Sequence, residues 1–188
     1  MLLSREFYVR SADIVAEEIL GSVLVRSVEG KTMKGRIVET EAYFGVDDPA
    51  SRAFGGRIKQ INRYMWEEGG IAFVYMVHGN WLFNIITGVK GEPSGILIRA
   101  LEPLVGMEEM QRNRKGNRDL TGGPGKLTEA LAITGEMSGV RVYEESAPVR
   151  VESGLKNGTI KRTKRIGVRL DLDRDLRFFL DGNPYVSR

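Results

Sequence analysis

The segment "MKGRIVETEAYF", residues 33–44, decides how this chain is built. It lacks helical recurrence and alternates at period two, which sets Ile37, Glu39, Glu41 and Tyr43 on one face of a strand and Arg36, Val38, Thr40 and Ala42 on the other. Neither face is cleanly apolar. Like charges at adjacent same-face positions repel and gain nothing from β-propensity. One reading is a solvated edge strand whose acids meet Arg36 or a neighbouring strand's lysine; the other is a pair of carboxylates kept for chemistry.

Outward from this segment, further strands are expected at 22–28, 71–77, 81–87 and 95–101, with the central one spanning 32–43. Ser11 as N-cap, the helical spacing of Ala12, Val15, Ala16 and Ile19, and Gly21 as a stop predict an opening helix. "EPLVGMEEMQRNR", residues 102–114, reads as a helix with Leu104, Met107 and Met110 inward. "GGPGKLTEALAI", residues 122–133, puts Gly and Pro where a helix begins and Leu127, Ala130 and Leu131 on its buried face. "GGPGK" lacks the spacing of a phosphate-binding P-loop, yet its backbone N–H groups and Lys126 suit a single phosphate. The last third is strand-like and turn-rich. No repeat or linker divides the chain, so one mixed α/β, sheet-dominated domain is expected.

Composition narrows the function. With 188 residues, 41% hydrophobic, the chain can bury one substantial core. Apolar runs such as "IAFVYMV" are far short of a membrane span, and "MLLSREFYVRS" is charged too early for a secretory signal, so an intracellular protein without membrane contact is expected. The absence of cysteine excludes disulfides, thiolate zinc sites and a cysteine nucleophile. A lone histidine, His78, argues against a histidine-rich metal site or a Ser-His-Asp triad. Net charge is +3 but uneven: residues 112–126 carry five basic side chains against one acid, and residues 150–177 nine against four. Such stripes are either solvated faces or a footprint for a polyanion such as nucleic acid.

Taken in order, "GRIVETEAY", a Gly-Gly followed by Asn-Arg, "VYMVHG", "LIRALEPL", "GGPGKLTEALAI" and "GNPYVS" resemble the alkyladenine (methylpurine) DNA glycosylase family, also called 3-methyladenine DNA glycosylase, from about Phe7 to the closing "LRFFLDGNPYVS". The resemblance implies an α/β (α+β) fold, a single domain over residues 1–188 with a curved, mainly antiparallel sheet flanked by helices. It implies a monomeric base-excision repair enzyme without metal or cofactor, acting on double-stranded DNA that contains damaged purines. Such chemistry needs a carboxylate to stabilise an oxocarbenium-like sugar and deprotonate water, and flat side chains to hold a base flipped from the stack.

Residue by residue, the resemblance implies that Glu41 is the water-activating base, that Arg99 helps hold the water, and that Glu39 is structural. It implies further that Tyr43 and Tyr75 sandwich the flipped purine, that Asn84 discriminates at the pocket rim, and that His78 takes the place of a tyrosine that wedges into the minor groove. Lys126, Arg165 and Asn62 are expected to contact DNA. This chain differs from the family pattern in four places: Arg52 stands where a histidine touches the base, His78 replaces the wedge tyrosine, "HGNWLFN" is one residue shorter, and "KQIN" retains only Asn62 of a Thr-Pro-Arg-Asn-like turn. Two other readings remain open. Glu39, Glu41, Asp47 and Asp48 could ligate magnesium in a nuclease, or Arg52 could leave a damage-binding module without catalysis.

Overall fold

In the computed structural model, which describes residues 1–187, the central segment forms a 13-residue strand, β2 (Lys31–Tyr43). It is not an edge. Its N-terminal half pairs with β1 (Val23–Val28), its C-terminal half with β8 (Arg177–Leu180), and most of its opposite side with β5 (Ser94–Val105). The sheet continues through β4 (Asn80–Thr87) to β3 (Ala72–Val77) on one side and through β1 to β6 (Val149–Glu152) on the other, with β7 (Ile160–Thr163) beside β8. Every pairing is antiparallel. Three register shifts between β2 and β5, two of them flanking Glu39, mark bulges, and bulges bend and twist a sheet. The expected curved sheet results.

The two faces of β2 meet different partners. Val38 and Ala42 join the core beneath α2 (Ala12–Glu18), and the Thr40 hydroxyl donates to the Ala16 carbonyl at 2.7 Å, tying strand to helix. The helix contributes Ala12, Val15 and Ala16, the side chains that the sequence spacing placed inward. A short α1 (Arg5–Tyr8) precedes it. α4 (Pro124–Ala130) buries Leu127 and Ala130 as expected, and Leu131 just beyond it is also buried. A Cβ on Gly125 would stand 2.9 Å from the Asn80 side chain, so glycine is what lets α4 lie against the β3–β4 hairpin.

The helix expected over 102–114 is shorter. Residues up to Val105 extend β5, Gly106 turns the chain with φ 78°, and α3 covers only Met107–Asn113. Met110 is buried, whereas Leu104 and Met107 are exposed, because the apolar spacing in this region straddles two elements. No helix among the described residues is long and apolar enough to cross a membrane.

Arg165, expected at a DNA phosphate, lies inside the protein. Its side chain is fully buried and forms a fork on Asp48 at 2.7 and 2.8 Å, a further hydrogen bond to Asp171 at 2.9 Å and one to the Ala42 carbonyl at 3.0 Å. Burial opposes its charge, but the two carboxylates more than offset this and hold its pKa above the usual arginine value. It clamps the 165–171 loop over the end of β2. Asp48→Ala should therefore cost about 3–5 kcal/mol in urea unfolding, because it leaves a buried guanidinium short of its main partner. Pairing it with Arg165→Met should restore much of the loss; full stability in the single variant would contradict the clamp.

Candidate active site

The opposite face of β2 carries the acids, and both are fully buried. Arg99 lies between them, its Nε donating to Glu39 at 3.1 Å and its Nη1 3.3 Å from Glu41 Oε1. Glu39 also accepts from Arg177 Nε at 2.7 Å and from the Ser187 hydroxyl and backbone N–H at 2.8 and 2.6 Å. Four donors, three on Oε1 and one on Oε2, tie Glu39 to β5, β8 and the C-terminal segment, which makes it a structural anchor. Glu41 Oε1 accepts from the Ile166 N–H at 2.7 Å and faces Arg99 only as an ion pair, and Oε2 receives only the Tyr43 hydroxyl at 2.8 Å. Glu41 Oε2 thus keeps acceptor capacity that no second donor among the described residues uses. The acids of the opening motif do not meet Arg36, which pairs with Glu102 at 3.6 Å.

Burial pushes the Glu41 carboxyl above the ordinary glutamate range, with a smaller push from Glu39; Arg99, the Ile166 N–H and the Tyr43 hydroxyl pull the other way. Burial also raises the Tyr43 and Tyr75 phenols, which stay protonated as donors.

From Tyr43 the wall continues around a pocket lined by Arg52, Met65, Phe73, Tyr75 and Asn84. Adjacent antiparallel strands bring these groups together, since Phe73 on β3 pairs with Asn84 on β4, which in turn pairs with Leu97 on β5, the partner of Glu41. Phe73 stacks on Tyr75 with centroids 4.9 Å apart, and the Arg165 guanidinium lies 4.5 Å from the centre of the Tyr43 ring. Asn84 spends both amide hydrogens on the Phe73 and Leu82 carbonyls at 3.1 and 3.2 Å, which leaves its carbonyl oxygen as the group it can offer.

His78 sits exposed at the tip of the β3–β4 hairpin, where it and Gly79 have φ of 47° and 80°, a two-residue turn of type I′ form. Asn62, expected on DNA, is 3% exposed and acts within its own loop: it donates to the Arg52 and Arg57 carbonyls at 2.8 and 3.1 Å and accepts from the Lys59 N–H at 2.6 Å. Lys126 is half exposed and already paired with Asp119 at 2.6 Å. The basic stripe at 150–177 is mostly neutralised internally, with Arg150, Lys161, Arg162, Lys164, Arg165, Arg174 and Arg177 all in ion pairs.

Sequence reasoning missed a better cationic surface. Between Pro49 and Trp66 there is no acidic residue, and that loop presents Arg52, Arg57 and Lys59 beside the pocket together with exposed Phe54, Ile58 and Ile61. The signal was the missing acid rather than the density of bases.

The description "Methylpurine-DNA glycosylase (MPG)" belongs to the family that matches residues 6–184. The chain belongs to the methylpurine-DNA glycosylase family. Among relatives similar to it, a Methanoculleus marisnigri protein is 41% identical over 195 residues and a Clostridium beijerinckii protein 39% identical over 203, each alignment covering 100% of both chains. An Aeropyrum pernix protein is 38% identical over 190 residues, covering 100% of this chain and 93% of its own. Each of the three bears the name "Putative 3-methyladenine DNA glycosylase".

Within this methylpurine-DNA glycosylase family fold, a raised Glu41 is directly measurable. Carbon-13 NMR titration of glutamate carboxyls should find one midpoint above the ordinary value of about 4.3. Arg99→Met removes the cation that favours the ionised form and should move that midpoint higher still. A midpoint at or below the ordinary value would contradict the described environment.

Proposed function

We propose that the protein hydrolyses the N-glycosidic bond of damaged purines flipped out of double-stranded DNA, acting as a monomer without a cofactor. The observation that carries this reading is the unequal use of the two acids: Glu39 is held by four hydrogen-bond donors, while Glu41 has two, and its Oε2 meets only the hydroxyl of Tyr43 of the pocket wall. A water accepted there gives its proton to Glu41 as its oxygen adds to C1′ of the sugar. The C1′–N9 bond breaks and its electrons leave with the purine; a neutral lesion takes up a proton as it departs, whereas a cationic alkylated one leaves as a neutral base and the proton from water stays on Glu41 until solvent removes it. Arg99 stabilises the ionised base beforehand and holds Glu41 in place. Tyr43, Tyr75 and Asn84 hold the flipped base, and His78 on its exposed hairpin suits the gap left in the stack.

The magnesium-nuclease alternative fits the site poorly, because the acids it needs already face cations: Arg99 lies between Glu39 and Glu41, and Arg165 forks onto Asp48. The damage-binding alternative has one observation in its favour, the presence of Arg52 in the pocket. Glu41→Gln separates catalysis from binding. It should retain affinity for a hypoxanthine duplex and lose about 10²–10⁴-fold in single-turnover excision; near-normal excision would remove Glu41 from its role. If the unaltered protein binds lesions but releases no base, the binding-module reading holds.

No lysine lines the pocket among the described residues, so the reaction should leave an intact abasic strand, cleaved only by later alkali, and borohydride should trap no protein–DNA adduct. The 52–63 loop is placed to meet the duplex. Charge reversal at Arg57 or Lys59 should weaken lesion and normal duplexes alike and flatten the dependence of log affinity on log salt by roughly 0.9 per lost phosphate contact. Unchanged salt slopes would assign the DNA footprint elsewhere, with Lys126 the next position to reverse.

A further inference from the structure

Tyr75 is packed by two groups. Phe73 stacks against it with 28° between the planes, and the Arg52 guanidinium carbon lies 4.6 Å from the ring centre. The Arg52 guanidinium therefore covers part of the Tyr75 ring inside the pocket that both line. The pocket is correspondingly small, about 20 Å³, room for about one water and not for a purine. The acids that might have drawn Arg52 away are engaged or absent: Asp48 is held by Arg165, and no carboxylate among the described residues lies within ion-pair distance of the Arg52 side chain. Its backbone carbonyl is fixed by Asn62 at 2.8 Å, so the loop is anchored while the exposed side chain is free to turn.

We propose that Arg52 is a specificity-determining residue that occupies the base pocket and selects neutral 6-oxopurines, hypoxanthine above all, over purines alkylated at N7. The inference rests on the excision chemistry proposed above and adds its substrate class. A purine can stack on Tyr75 only when the guanidinium slides from the ring face to the edge of the incoming base. Hypoxanthine presents O6 and N7 there, two adjacent acceptors that match the arginine fork. An N7-alkylated guanine has lost the N7 acceptor and carries a positive charge while still bound to the sugar, so the same guanidinium meets a blocked edge and a like charge. The departing bases differ in the same sense. Hypoxanthine leaves with the electrons of the C1′–N9 bond as a developing anion, which a fixed cation favours until a solvent proton neutralises it. N7-methylguanine leaves as a neutral molecule and gains nothing from that cation. Guanine shares the O6/N7 edge but stays in its Watson–Crick pair, whereas hypoxanthine opposite thymine is easier to extrude.

The experiment is single-turnover excision from two duplexes, one with hypoxanthine opposite thymine and one with N7-methylguanine opposite cytosine, by the unaltered protein and by Arg52→His and Arg52→Met. A bidentate arginine contact to O6 and N7 discriminates by roughly 5- to 150-fold, so the hypoxanthine-to-methylguanine rate ratio should fall about tenfold or more in Arg52→Met and move the same way in Arg52→His. A ratio that stays within twofold or rises in both variants, with excision intact, overturns the assignment to Arg52 alone. Failure of all three proteins to release either base overturns the glycosylase reading on which it rests.

Discussion

Arg99 lies between two carboxylates that are two residues apart on a buried strand, and the site depends on that guanidinium. Two ionised acids on one face, out of water, would repel strongly, and one of them would be held neutral. The cation changes the outcome by joining them, and Glu39, anchored also by Arg177 and Ser187, keeps the guanidinium in place for Glu41. The bulges around Glu39 are part of the same arrangement, since the irregular pairing of β2 with β5 lets Arg99 reach both acids.

Cations elsewhere divide by location in the same way. Arg165 and Arg177 are internal fixtures, each holding a loop or terminal segment against the carboxylate end of β2, and most of the C-terminal basic stripe is balanced by nearby acids. Arg52, Arg57 and Lys59 sit instead on a loop without a single acid. Charge left unpaired at the mouth of an aromatic pocket attracts a polyanion, whereas charge already balanced by acids does not. The exposed Phe54, Ile58 and Ile61 on that loop add an apolar surface beside the cations.

Much of the framework was legible along the chain. The alternation in "MKGRIVETEAYF" placed the acids together, the helical spacing of Ala12, Val15 and Ala16 identified the helix that covers β2, and "GGPGKLTEALAI" announced α4. The region 102–114 was misread because Leu104, Met107 and Met110 mimic a helical stripe although a left-handed Gly106 separates strand from helix. Arg165 was placed on DNA because it lies in a basic stripe, and Asn62 because it is the residue kept from a family turn. A basic or amide side chain in a loop looks the same in sequence whether it meets solvent or, as here, buried carboxylates and backbone carbonyls.

The sequence by itself determined the family, the paired acids, the aromatic positions and the substitution of Arg52, because these are properties of residue identity and local periodicity. Only the tertiary structure decided that Glu39 collects four donors and Glu41 fewer, since the partners concerned, Arg99, Ile166, Arg177 and Ser187, lie between 58 and 148 residues away along the chain. It likewise decided that Arg52 rests on Tyr75 rather than on Asp48, because Arg165 had already taken that carboxylate. Competition among side chains for a limited number of buried partners is a three-dimensional property, and no spacing rule along the chain expresses it.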